Sequence, residues 1–188
     1  MTTIGAVLCG GRSSRMGEDK ASLQLEGRPM VEWVAGSMRE AGLESIVALG
    51  GNASISLPII PDELEQEGPL HVLIKAIERL GDILVCPCDV PLVSARLLRE
   101  ILAAGATSTE PVVLARSDQL QPLIGLYKES AASLLSAGFA RGERGPKFVL
   151  EEGDFAVVEA KAAETQNINT PTQFEALVVD LSSSNGGR

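Results

Sequence analysis

An apolar run, Ile4 to Leu8, opens into Cys9-Gly10-Gly11-Arg12-Ser13-Ser14-Arg15-Met16-Gly17-Glu18-Asp19-Lys20. The run reads as a buried strand. A strand that spills into such a loop is the start of a βα unit, and it constrains everything downstream. Three glycines allow tight turns and let main-chain N–H groups approach a guest closely. Arg12, Arg15 and Lys20 add cationic donors. Backbone amides with Arg and Lys suit a polyphosphate. The loop taken alone also fits an ordinary βα turn with solvated charges. Two familiar phosphate loops are excluded by spelling. Gly17 is followed by Glu18-Asp19-Lys20 rather than Lys-Ser/Thr, and Gly10-Gly11 breaks the G-x-G-x-x-G spacing.

Apolar bursts then alternate with helical periodicity. A short extended piece is expected over 22–25. Pro29 is placed to open a helix to about Ala41, with Met30, Val34, Met38 and Ala41 on one face and Trp33 packing on it. Strands are expected over 45–49, 57–60, 82–86, 111–115 and 155–158. Helices are expected from Gly68-Pro69 to Leu80, from the cap Ser94 to about Ala104, near 128–137 and near 144–151. The run 121–127 reads as one arm of a hairpin. Thr170 and Gln173 have capping-box spacing around Pro171. His71 reads as an exposed helix residue. The alternation predicts a mostly parallel twisted sheet with helices on both faces. Ligands of such sheets bind beyond the carboxyl ends of the strands. The Gly loop, Asn52, Asp62 and Asp89, each following a strand, should therefore share one edge.

A length of 188 residues predicts one domain, 1–180, with a polar Gly/Ser-rich tail, 181–188, expected to be disordered. The net charge of −9 argues against a nucleic-acid binder and makes the cationic loop more telling. Neither a membrane span nor a secretion signal is visible, which predicts a cytoplasmic protein. Cys9, Cys86 and Cys88 lack metal-site spacing and read as small buried thiols. Asp89 lies just past a buried strand between Pro87 and Pro91. It is a candidate Mg²⁺ ligand, since Mg²⁺ manages with one carboxylate plus substrate phosphates. A turn-forming aspartate is the other reading of the same residues.

The loop resembles the signature of the molybdenum cofactor guanylyltransferase family, L-A-G-G-x-S-x-R-M-G-x-D-K followed by G-x-P-L/M. The matching residues are Leu8-Cys9-Gly10-Gly11, Ser13, Arg15-Met16-Gly17, Asp19-Lys20 and Gly27-Arg28-Pro29-Met30, with Cys9 in place of Ala. Four more segments are similar in the same order: Asp62 with Gly68-Pro69-Leu70, Pro87-Cys88-Asp89-Val90-Pro91, Gln121-Pro122-Leu123, and Asn167-Ile168-Asn169-Thr170-Pro171. His71-Val72 departs from the family's small Ala-Gly.

The resemblance implies a Rossmann-like α/β nucleotidyltransferase domain. The implied activity is transfer of GMP from GTP to Mo-molybdopterin with release of pyrophosphate. It implies that Leu8, Cys9, Gly10 and Asn52 border the base and ribose, and that Gly11 and Asp62 lie at the nucleotide. Lys20 would meet the phosphates, Arg15 would offset charge at the α-phosphate or the incoming phosphate, and Asp89 would hold Mg²⁺. Asn167 and Asn169 would shape the pterin side, although a turn and helix cap fits them equally. Arg144 and Lys147 are candidate cations for the second substrate, with Gly145-Pro146 loosening the local match. Molybdenum-insertion proteins or apo-molybdoenzymes are candidate partners. A cytidylyltransferase of the same cofactor, a sugar-phosphate nucleotidyltransferase and a non-catalytic nucleotide-binding partner are the rival readings.

Overall fold

The computed structural model describes residues 2–10, 20–51, 55–61, 67–151 and 153–185. Its strands are β1 (Ile4–Leu8), β2 (Gln24–Leu25), β3 (Arg28–Pro29), β4 (Ile46–Leu49), β5 (Ile59–Ile60), β6 (Ile83–Pro87), β7 (Val112–Arg116), β8 (Leu120–Tyr127) and β9 (Phe155–Glu159). Its α-helices are α1 (Met30–Glu40), α2 (Pro69–Leu80), α3 (Ala95–Thr107), α4 (Ala132–Ala140) and α5 (Pro171–Asn185). Seven strands form one sheet in the order β5-β4-β1-β6-β8-β7-β9, and β2 pairs with β3 in a small hairpin. β1 is parallel to both β4 and β6, β4 to β5, and β7 to β9. Only β8 runs against its neighbours β6 and β7.

The two faces of the sheet follow from period-two alternation along its central strands. Val7, Leu84 and Cys86 point into a core shared with α1 and α3, whereas Ala6, Ile83 and Val85 point into one shared with α2 and α4. Strands covered on both sides lose the polar alternation of surface strands, which is why 83–86 is apolar throughout. A third, smaller cluster joins Leu25, Met30, Ile168 and Leu177. It seats α5 against the β2–β3 hairpin and the start of α1. Trp33 packs there, with its indole N–H donating to Leu25 O at 3.0 Å.

The expected helix near 144–151 is only a 3-10 turn, Pro146–Phe148, because Gly145-Pro146 interrupts the backbone bonding a longer helix needs. The strand expected from 57 begins at Ile59, and Ser22 belongs to a 3-10 turn, Lys20–Ser22. The 181–188 tail is not structureless up to its end: α5 continues to Asn185, and Ser182 and Ser183 hydroxyls each donate to the carbonyl four residues back at 2.8 Å. No helix among the described residues is long and apolar enough to cross a membrane.

Candidate active site

The last rungs of the four leading strands line up. Ile60 pairs with Leu49, Leu49 with Leu8, and Leu8 with Pro87. Chain direction away from β1 reverses between β4 and β6, so the switch point of the sheet lies at the tips of β1 and β6. Main-chain bonds fix those tips: Cys88 N donates to Leu8 O at 3.0 Å and Cys9 N to Leu49 O at 2.9 Å. Gly51 (φ +94°) makes this edge tight, since a Cβ there would sit 2.4 Å from Ile55 Cδ1 and 3.1 Å from Cys9 Cβ. Leu8, Cys9 and Gly10 thus stand beside Gly50-Gly51, with Gly10 exposed and Cys9 buried.

Asp89 emerges at this switch point. Lys20, which re-enters the fold after the loop, reaches it: Lys20 Nζ lies 3.3 Å from Asp89 Oδ2 and 2.5 Å from Asn169 Oδ1. Two segments 69 and 149 positions from the lysine are therefore joined to it through one ammonium. The main chain repeats the junction, with Ile168 N donating to Asp89 O at 2.8 Å. The other carboxylate oxygen, Asp89 Oδ1, is buried and has no hydrogen-bond partner among the described residues. A buried, unpaired anionic oxygen is costly and calls for a cation or donor. Its hard oxygen chemistry fits Mg²⁺, with Asp89 as protein ligand and phosphates and water completing the shell. Among the described residues no group of three or more His, Cys, Asp or Glu is gathered to hold a metal by itself.

The three cysteines are buried, and none forms a disulfide. Burial, with Asp89's charge adding to it, pushes the Cys86 thiol well above its ordinary pKa, so it stays a neutral packing group.

The other expected site residues divide. Gly11, Arg15, Asn52 and Asp62 lie outside the described residues. Asn167 is exposed beside the cluster. Asn169 is placed at the charge centre, on Lys20. Arg144 and Lys147 have partners of their own. Arg144 sits at the start of α2, where its Nε meets Glu67 Oε2 at 3.1 Å and its guanidinium lies 4.4 Å from the Phe139 ring centroid. Its carbonyl accepts from Leu70 N at 3.1 Å, an approach that Gly68 (φ +83°) permits because a Cβ there would stand 2.7 Å from that oxygen. Lys147 Nζ lies over the exposed Phe148 ring at 4.7 Å. His71 corrects the expectation of an exposed residue: it is buried, 5.3 Å from the Phe139 ring centroid, with Nδ1 unpartnered among the described residues. Helical spacing put it opposite the sheet-facing stripe, and α4 covers that side too.

Two supports were missed from the sequence. Gln173 Oε1 accepts from Asn169 N at 2.8 Å and Thr170 N at 3.1 Å, so the α5 cap also fixes the asparagine that holds Lys20. The capping-box spacing pointed to the second bond only. Glu164 is the other. It accepts from Ser94, the α3 cap, from Arg96 at 2.9 Å and from Lys161 N at 2.8 Å. Burial raises its pKa, but these bonds and the Arg96 charge outweigh that and hold the carboxyl below its ordinary value. No short-range pattern announces a bond across 70 positions.

A doubly wound sheet with a lysine and a carboxylate meeting at its switch point defines a nucleotidyltransferase-type α/β protein. The chain belongs to the MobA-like NTP transferase domain family, whose profile matches residues 5–158. It is 35% identical over 182 residues to a molybdenum cofactor guanylyltransferase of Xanthomonas euvesicatoria pv. vesicatoria, covering 93% of each chain. It is 33% identical to the protein of the same name from Ectopseudomonas mendocina, covering 90% of this chain and 89% of that one. The fold matches the crystal structure of molybdopterin-guanine dinucleotide biosynthesis protein A from Archaeoglobus fulgidus with a TM-score of 0.79, at 23% identity over 96% of this chain and 100% of that one.

Proposed function

We propose that the chain transfers the guanylyl group of GTP to the phosphate of Mo-molybdopterin and releases pyrophosphate. The observation that carries this reading is the convergence of Lys20 and Asp89 at the switch point, in a chain whose near-full-length relatives bear the guanylyltransferase name. An oxygen of the acceptor phosphate attacks the α-phosphorus. The bond to the bridging oxygen breaks, and pyrophosphate leaves with that electron pair.

The protein's task is alignment and charge. The edge at Leu8, Cys9 and Gly10 takes the nucleoside. Lys20 exchanges Asp89 for phosphate oxygens. Asn169 stays on the ammonium and keeps it aimed at the centre rather than at solvent. Arg15 supplies a second cation to the α-phosphate. Asp89 would hold Mg²⁺, which would supply charge compensation for the triphosphate. The oxygen-sensitive product favours direct transfer to a molybdenum-insertion protein or apo-molybdoenzyme.

The test is a transfer assay with Mg²⁺, Mo-molybdopterin and each of the four nucleoside triphosphates in turn. Pyrophosphate and the guanine dinucleotide should appear together with GTP. Preference for CTP, or release of pyrophosphate without dinucleotide, overturns the reading.

A further inference from the structure

A second concavity lies on the same edge of the sheet, beyond Asp89. It is a cleft of about 390 Å³ between the β7–β8 turn and the 3-10 turn Ala162–Thr165. β7 ends and β8 begins here, so both walls stand at the carboxyl edge that carries the Lys20–Asp89 centre. The floor is fixed. Ser117 Oγ and Thr165 Oγ1 are 2.7 Å apart, and Gln121 Nε2 donates to Ser117 Oγ at 3.3 Å. Tyr127 Oη donates to Pro122 O, which pins the strand carrying Gln121. The Glu164 bonds described above pin the opposite wall.

Among the described residues no lysine or arginine lines the cleft, and the one charged lining residue is the exposed Asp118. Such a wall repels phosphate. It suits a neutral heterocycle that presents adjacent N–H donors, because a carboxylate accepts two parallel bonds. Thr165 lines the cleft, and Ile168, three residues on, donates to Asp89 O, so at most roughly 11 Å of chain separates this wall from the residue bonded to Asp89.

We propose that this cleft receives the heterocyclic end of the acceptor substrate, and that Asp118 reads the amino-pyrimidinone edge of that ring. The assignment rests on the guanylyltransferase reading, which supplies an acceptor with a phosphate at one end and a pterin at the other. Guanine carries the same amino-pyrimidinone edge, so the experiment must separate the two.

The experiment is steady-state transfer by wild type, Asp118→Ala and Asp118→Asn, varying acceptor and GTP separately. Asp118 is an exposed turn residue, so both variants should fold. Both should raise the acceptor KM about tenfold, the scale of a lost charge-assisted bond, with kcat and the GTP KM unchanged. An acceptor KM within twofold of wild type in either variant overturns the proposal. So does a rise in the GTP KM instead, which would make the cleft a base pocket. If wild type transfers nothing to the acceptor, the guanylyltransferase reading fails first, and titration with fluorescent 6-hydroxymethylpterin decides about the cleft. Binding by wild type that weakens about tenfold in Asp118→Ala upholds it. Equal binding by both, or none by wild type, overturns it.

Discussion

The two oxygens of Asp89 differ: Oδ2 pairs with Lys20, and Oδ1 is buried with no partner among the described residues. Asp89→Asn keeps the shape and removes the charge. It should lower guanylyl transfer by at least about a hundredfold, the size seen when one preorganised electrostatic group is lost, with an unchanged circular dichroism spectrum. A loss under tenfold would refute the assigned role. Lys20 and Asp89 were legible in the sequence because each closes a short motif of fixed spelling just after a buried strand. The partner of Lys20 was not. The sequence placed Asn169 on the acceptor side, since nothing local shows that a side chain 149 positions away will fill that gap. His71 was misread for a related reason. Periodicity reports which face of a helix is apolar, and a buried histidine packed against Phe139 looks polar to that measure.

At the scale of elements, the site depends on how helix ends are tied. Gln173 is a positioning residue: it caps α5 and holds the Asn169 backbone. Gln173→Ala should cost about 1 kcal/mol of stability, as lost caps do, and should also lower kcat several-fold by loosening Lys20. Gln173→Glu retains the acceptor oxygen and should restore kcat. Equal kcat in all three forms, at matched fractions folded, would reduce Gln173 to an ordinary cap. The knot around Glu164 gives a pH signature. Its carboxyl is held below the ordinary value, so its contribution is complete above that value and disappears as pH falls through the lowered one. Glu164→Gln should therefore lower stability by about 1–2 kcal/mol at neutral pH. The gap to wild type should close in thermal melts as pH falls through that lowered value. A gap constant from pH 7 to pH 3 would show that shape, not charge, does the holding. Ser94 as a cap was readable from its place before an apolar periodic run, whereas its link to Glu164 depends on how the 160–168 segment folds back over α3.

Across the whole molecule, the βαβα alternation was sufficient for the parallel half of the sheet, because a crossover helix returns each strand in the same direction. It did not say that β8 would lie between β6 and β7. That order depends on which strand edges remain open after the first four have paired, a long-range matter with no local spelling. The resulting topology gathers Lys20 after β1, Asp89 after β6 and Asn169 before α5 into one site. A ligand bound there ties together early, middle and late parts of the chain, and it binds the folded state alone. At a concentration of 100 Kd, GTP with Mg²⁺ should add about 2.7 kcal/mol. For a domain of this size that raises Tm by roughly 5–10 °C. Chelating the Mg²⁺ should remove most of the increment in wild type. In Asp89→Asn the shift should be small and the same with or without metal. A full shift in wild type that survives chelation would mean that the triphosphate binds through the cationic loop alone, and Asp89 would lose its place as the metal anchor.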